Sequence, residues 1–436
     1  NGTGRNDWSS VFSDGNQSYF YPSVGASFIP TKAFEDLGDN TLNYLKVTGS
    51  FVRVGSDGVD PFAINQVVNQ GAGFPFDGLN SFEAPETITD PNIEPEFTEQ
   101  FEFGVNSGFF QDRVTFDVAY FNFKSDNLIT SIATSSASGL RRSRINIGQT
   151  SGYGFEVDLG LVPLRSEDFN WNINIGYSEN YTEVDKVSDQ ASEVSLGGFG
   201  GFAQVFAIEG EQFPMLKTIN YQRDSQGRVI LDSNGTPQQT SGPEIIGNTT
   251  PDYVVNLNTS FSYKNLTLSA TMDYRTGHVF YSDTQNNLLW PGHDVTTAQD
   301  GRGSFIFPNS AIPDGSGGFT DNTNLPSGGT NSGSYISFWN NMRGIAENSV
   351  LDATALKLRE LSLRYDFTEK MLESTPFTNV SFSLVGRNIF TILPEENRGY
   401  NDPESNFTAS GNSQGISSTG QYPPTRSYGL GLNVSF

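Results

Sequence analysis

Cysteine is absent from this chain of 436 residues, and histidine occurs only twice, as His278 and His293. Without thiols there is no disulfide framework and no thiolate metal site. Two imidazoles do not fill a zinc site of ordinary ligand count. Basic residues are scarce: 25 Lys and Arg stand against 49 Asp and Glu, a net charge of −24. That balance excludes nucleic acid, which requires a basic face. No apolar run approaches the ~18 residues of a transmembrane helix. The chain opens at Asn1 with neither Met nor an apolar leader, and reads as part of something longer. Hydrophobic residues make up 35% of it, short of what two or three ordinary globular domains need for their cores.

What is abundant is aromatic and small. Aromatics reach 13%, with 35 Phe and 17 Tyr beside 46 Gly, too many rings for a disordered chain. Apolar and polar residues alternate with a period of two, as in strands with two unlike faces. At the end of the chain Tyr428, Leu430, Leu432, Val434 and Phe436 alternate with Gly429, Gly431, Asn433 and Ser435. Tyr253, Val255, Leu257, Phe261 and Tyr263 alternate with Asn256, Asn258, Ser260 and Ser262. The rhythm recurs in 266–275, 171–178, 153–161, 113–121, 97–105 and 380–388. In 355–367 it slips: Leu356 and Leu358 keep one phase, Leu361, Leu363, Tyr365 and Phe367 the other. A bulge near Glu360 would absorb the slip.

Alternation suits a soluble sandwich and a transmembrane barrel alike. The segments run about 10 to 14 residues, whereas globular strands run nearer 5 or 6 and a tilted strand crosses a bilayer in about 9 to 11. The polar phase, with Glu102, Asp117, Glu156, Asp158, Asp273, Arg275 and Arg387, suits a wet lumen better than a sandwich core. Aromatics gather at strand ends (Tyr263, Tyr274, Tyr365, Phe367, Phe390, Tyr428, Phe436), as the girdles of a barrel do at the two bilayer interfaces. A soluble or surface-anchored β-rich adhesin is the alternative of a different class.

Twelve strands are predicted: 1–10, 20–29, 44–56, 97–108, 113–130, 152–162, 169–184, 252–263, 265–277, 355–367, 380–390 and 425–436. Short connections are 30–43, 109–112, 163–168, Lys264 and 368–379. Long ones are 57–96, 131–151, 185–251, 278–354 and 391–424. Outer-membrane barrels turn tightly on the periplasmic side and loop far on the outer side, so the long connections are expected outside the cell. The expected fold class is all-β, and 1–436 is read as one part of a transmembrane antiparallel barrel.

The stretches GRNDWSS (4–10), YFYPS (19–23), LKVTGSFVRVGSD (45–57) and PEFTEQFEFGVNSGFF (95–110) are followed by IGNTTPDYVVNLNTSFSYKNLTLS (246–269) and FIFPNS (305–310). After them come LKLRELSLRYDF (356–367), GRNIF (386–390), NDPE (401–404) and PPTRSYGLGLNVSF (423–436). This ordered series resembles the SusC/RagA-like TonB-dependent outer-membrane transporters of Bacteroidetes-type bacteria, over nearly the whole chain. The resemblance implies a 22-stranded barrel with an N-terminal plug, of which these would be the last twelve strands; the plug and TonB box are not among these residues. It implies a SusD-like surface lipoprotein as partner and the TonB–ExbB–ExbD complex acting through the absent N-terminal part. Outer-membrane lipid and lipopolysaccharide would surround the wall, a glycan or peptide would be the ligand, and two transporter–lipoprotein pairs could form a dimer. The implied location is the cell outer membrane of a Gram-negative bacterium. The ending at Tyr428 and Phe436 resembles the assembly signal read by the barrel-insertion machinery.

No P-loop, G-x-G-x-x-G or H-E-x-x-H is present, and the GNSQG at 411–415 matches G-x-S-x-G by spacing alone, inside a connection where neither the strand nor the helix of a nucleophile turn is expected. No enzyme activity and no cofactor are expected. GGFGG (197–201) and DGSGG (314–318) lack a following phosphate-cradling helix, and the stretches starting at Asp224 and Asp232 read as turns rather than calcium loops. Connection 57–96 carries Asp57, Asp60, Asp77, Glu83, Glu86, Asp90, Glu94 and Glu96 without Lys or Arg. It is either a solvated rim beside divalent-bridged lipopolysaccharide or a place for structural Ca2+. The aromatic-rich connections present Phe280, Tyr281, Trp290, His293, Trp339 and Tyr400 as candidate ligand contacts, since flat rings stack on sugars and pack apolar peptide side chains. The same side chains could equally pack the loops together or form a lipoprotein interface. The expected function is energised import of oligosaccharides or oligopeptides, with a passive porin as the alternative transporter.

Overall fold

The computed structural model describes residues 1–34, 36–133, 137, 142–189, 191–199, 201–329, 331–405 and 412–436. Its fold is all-β. Twelve strands follow chain order in one large sheet: β1 Gly2–Trp8, β2 Ser18–Phe28, β3 Leu42–Ser56, β4 Glu96–Phe109, β5 Val114–Asp126 and β6 Gln149–Arg165. They continue with β7 Phe169–Lys186, β8 Tyr253–Tyr263, β9 Leu266–Thr276, β10 Ala355–Asp366, β11 Asn379–Ile392 and β12 Ser427–Ser435. Each predicted strand is there, with ends shifted by a few residues. The segment predicted as 113–130 stops at Asp126 because Asn127 turns left-handed at φ 58°. The chain then enters a separate strand, Ile129–Ala133, paired with Arg142–Asn146.

The chain divides into two compact units. The first holds Asn1–Pro163, Asn174–Val194 and Ile208–Gln212. There the register runs Val105, Val118, Val157 and Phe103, Tyr120, Phe155 across β4, β5 and β6, an apolar face. The opposite face carries Asn106, Asp117 and Asp158 in one row, with Glu102 and Glu156 in neighbouring rows. Phe121 shares that polar face by lying over Gly154, where a Cβ would meet its ring at 2.3 Å. Glycine there makes room for the ring.

The second unit holds Leu164–Ile173, Ser195–Ala207 and Phe213–Phe436. Across β8 to β12 one face reads Phe261, Leu268, Leu363, Leu384, Leu430. The other reads Asn258, Thr271, Glu360, Arg387. Pairing shifts between Leu358 and Glu360, so Arg359 is the extra residue of the expected bulge. Rings meet at the short-turn end of this face: Phe169 stacks on Tyr263 at 4.5 Å, and Tyr365 meets Phe367 edge-on at 5.3 Å.

Buried apolar cores sit in the connections rather than on the sheet. Phe12, Val59 and Ile93 form one in the first unit; Val205, Leu216, Tyr281 and Ile416 form another in the second. The connections, expected as plain loops, instead contain short strands such as Ala203–Ile208, Met215–Thr218 and Val279–Ser282. Connection 278–354 also holds the helices α1 Asp283–Leu289 and α2 Ser332–Gly344. Asn331 and Ser334 close a capping box at the start of α2, and Tyr335, Phe338, Trp339 and Met342 form its buried stripe. Among the described residues no helix is long and apolar enough to cross a membrane.

Candidate functional site

Three short elements build a shelf in connection 278–354. Ser282 caps α1 by accepting from the Gln285 N–H at 3.2 Å, and Asp294 caps the 3-10 helix Val295–Arg302 through the Thr296 N–H at 2.9 Å. The Tyr335 hydroxyl donates to the Thr297 carbonyl, tying α2 to that helix. Beneath lie Leu289, Tyr335, Phe338, Trp339 and Met342 as one core. Phe338 meets Trp339 edge-on at 5.3 Å and Phe305 at 5.7 Å. Over this floor opens a cleft of about 980 Å³, lined by Trp290, Arg302, Ser304, Asn331, Tyr335 and Trp339 among others. That size suits a small ligand or one segment of a longer one.

Of the six expected ligand contacts, the cleft unites Trp290 and Trp339. His293 is exposed but does not line it. For Phe280 and Tyr281 the expectation is corrected: both are essentially inaccessible, packed into cores of the connections. Tyr400 packs against the core of Phe280, Leu351 and Ala353 and donates its hydroxyl to Asp294 at 2.6 Å. Burial, with Asp294 alongside, pushes that hydroxyl up to about 12, so Tyr400 is a brace for the capping carboxylate. Arg302 and Tyr335 were missed. The Tyr335-x-x-Phe338-Trp339-x-x-Met342 spacing was the readable signal for Tyr335. No sequence signal marked Arg302.

The residues expected on a lumen fall into two groups. Glu102, Asp117, Glu156 and Asp158 share the polar face of the first unit, with Asn106 donating to Asp117 at 3.0 Å. Arg387 lies on the polar face of the second and donates to Glu360 at 2.9 Å. Asp273 and Arg275 differ: Asp273 is buried, and Arg275 half-buried, in a clasp with the NDPE segment. Arg275 reaches Asp273 at 3.2 Å and Glu404 at 2.9 Å. Lys357 meets Asp402 at 2.6 Å and Glu404 at 2.7 Å. Arg359, projected by the bulge, binds both Asp273 and Glu404. Three cations and three carboxylates thus neutralise one another, as burial demands. Burial alone would raise the Glu404 carboxyl, but Arg359 and Lys357 outweigh it and bring it to about 2.

Among the described residues no group of three or more His, Asp or Glu is placed to hold a metal. The calcium-like stretches are turns: Asp224 accepts from the N–H groups of Gln226 and Arg228, Asp232 from those of Asn234 and Thr236. Asp314 does the same within DGSGG through Ser316 and Gly318. In GGFGG, Gly200 lies outside the described residues. Tyr428 and Phe436 stand largely exposed on and just beyond edge strand β12.

The family of the TonB dependent receptor-like β-barrel matches residues 1–288. The chain belongs to that family. Such receptor barrels lie in the outer membrane, and the twelve strands are part of a membrane-spanning wall of that kind. TonB-dependent receptor P3 of Formosa agariphila is 22% identical over 100% of the chain, which covers 43% of that receptor. TonB-dependent receptor SusC of Bacteroides thetaiotaomicron is 25% identical over 65% of the chain and 30% of its own length. The solved RagAB peptide transporter superposes with a TM-score of 0.75 at 19% identity, over 100% of this chain and 45% of that one. The chain therefore spans less than half the length of the curated receptors it matches.

Proposed function

We propose that this chain forms wall and outer loops of a TonB-driven importer for oligosaccharides or oligopeptides. The carrying observation is a sheet with one bare apolar face, joined by connections that fold around a ligand-sized cleft. In this reading Glu102, Asp117, Glu156, Asp158 and Arg387 line the lumen and the long connections lie outside the cell. Tyr428 and Phe436 serve as the assembly signal. The partner is a SusD-like lipoprotein. Connection 57–96 supports one: Phe62, Val67, Phe76, Leu79 and Phe82 are exposed there, on a segment without Lys or Arg, an apolar surface of the kind a protein partner covers. TonB would supply the energy by moving a plug. The test is uptake of the cargo co-purifying with the intact receptor, in cells with and without TonB. Uptake is expected to stop without TonB; unchanged uptake would favour a passive porin.

A further inference from the structure

We propose that the cleft over α2 is a subsite for an acidic oligosaccharide, with Trp290 the platform for a sugar ring and Arg302 the counter-charge for its carboxylate or sulfate. This rests on the importer reading and narrows its ligand class.

Trp290 stands 48% exposed at the cleft. It makes no ring contact among the described residues, whereas Phe305, Tyr335, Phe338 and Trp339 beneath it meet edge to face. A bare indole face is the surface on which the C–H groups of a pyranose stack.

Arg302 is held, not loose. Asp300, Gly301 and Arg302 are all left-handed, at φ 48°, 65° and 64°. Nη2 of Arg302 donates to the Gly292 carbonyl at 2.9 Å. Gly292 itself sits at φ 73°, and a Cβ there would lie 2.6 Å from Nη1. No carboxylate pairs with Arg302 among the described residues. Several arginines elsewhere in this acidic chain do find one, among them Arg223, Arg228, Arg275, Arg359, Arg364 and Arg387, while Arg343 is held by the amides of Asn286 and Asn287. An anchored guanidinium without a carboxylate partner among the described residues is set to receive a charge from outside, and its planar fork fits carboxylate or sulfate.

Two features separate a sugar from a peptide. No residue of a strand lines the cleft, and only Pro291 and Ile336 offer it aliphatic surface. Backbone pairing, a usual grip on a peptide, is therefore missing among the described residues, and the apolar surface offered is mostly aromatic rings. Ser304, Asn331 and Ser332 supply hydroxyl and amide groups instead. The Trp339 indole N–H is buried in the floor without an acceptor among the described residues.

Calorimetric titration of the intact receptor in detergent tests this. The probes are an oligogalacturonate, a sulfated galactan oligosaccharide, a neutral galactan oligosaccharide of equal length, and a peptide of similar size. At least one acidic sugar is expected to bind about tenfold more tightly than the neutral one. Arg302→Gln should abolish that preference, and Gly292→Ala should imitate it by displacing the guanidinium. Trp290→Ala should weaken acidic and neutral sugars alike, with the thermal midpoint unchanged as the folding control. The proposal is overturned if no acidic probe binds, if only the peptide binds, or if the preference survives Arg302→Gln. Which acidic probe wins separates carboxylate from sulfate. TonB-dependent uptake without any acidic preference would overturn this subsite alone and leave the importer reading standing.

Discussion

The twelve-stranded sheet and the long connections treat the same residue types in opposite ways. On the sheet, Phe103, Leu268, Leu384 and Leu430 are 44%, 45%, 43% and 75% exposed. In the connections Ile93, Val205 and Leu216 are wholly buried. Each large apolar side chain left in water forgoes about 1.5–3 kcal/mol, so a face covered with them is stable only against lipid. The connections behave as water-soluble protein does. One chain is thus built for two solvents, and the boundary between them is the end of each strand.

That contrast can be broken most severely in the connections. Phe338→Ala removes a buried ring from the floor of the cleft and is expected to cost about 3–5 kcal/mol. The loss should appear as faster amide exchange around α2, while heat-modifiable mobility of the barrel stays normal. Next comes the sheet. Leu268→Arg places a charge on the apolar face between the short-turn end and the midplane and should cost about 1–3 kcal/mol, measured by reversible unfolding in lipid vesicles. Ser269→Arg, one residue along on the polar face, should cost far less. Equal costs would refute the assignment of faces. Phe382→Ala makes the same chemical change as Phe338→Ala, but lipid chains can fill the space and no cavity remains. A loss of at most about 2 kcal/mol is expected.

The smallest effect is a response to acid confined to the connections. Burial lowers the His278 imidazole from 6.5 to about 4, so the neutral ring is favoured in the fold. Its contribution is complete above pH 6.5 and is lost as pH falls through 4. The depressed Glu404 carboxyl contributes fully above 4.5, its ordinary value, and loses that as pH approaches 2. Amide exchange near 278 and 404 should therefore rise in two steps on acidification. Glu404→Gln should remove the lower one, while the central strands remain protected.

Legibility followed the same boundary. Period-two alternation marked nine of the twelve strands, from 97–108 onward, because a lipid face and a wet face impose unlike residues at every second position. The phase slip in 355–367 announced the bulge. It did not announce that the bulge would aim Arg359 into a clasp with Asp273 and Glu404, since those partners lie 86 and 45 residues away. Trp290 and Trp339 were legible as loop aromatics, but so were Phe280 and Tyr281, which the fold buries. Composition does not tell a ring at a cleft from a ring in a core; only the packing around it does.

By itself the sequence determined the fold class, the number of strands, the two faces and the aromatic ends, because each follows from local spacing and the solvent on either side. Tertiary structure alone decided which charges of the polar face are sealed, which aromatics remain open, and that Arg302 faces a cleft without a carboxylate partner among the described residues. Those outcomes depend on contacts between residues far apart in the chain, and no spacing rule carries them.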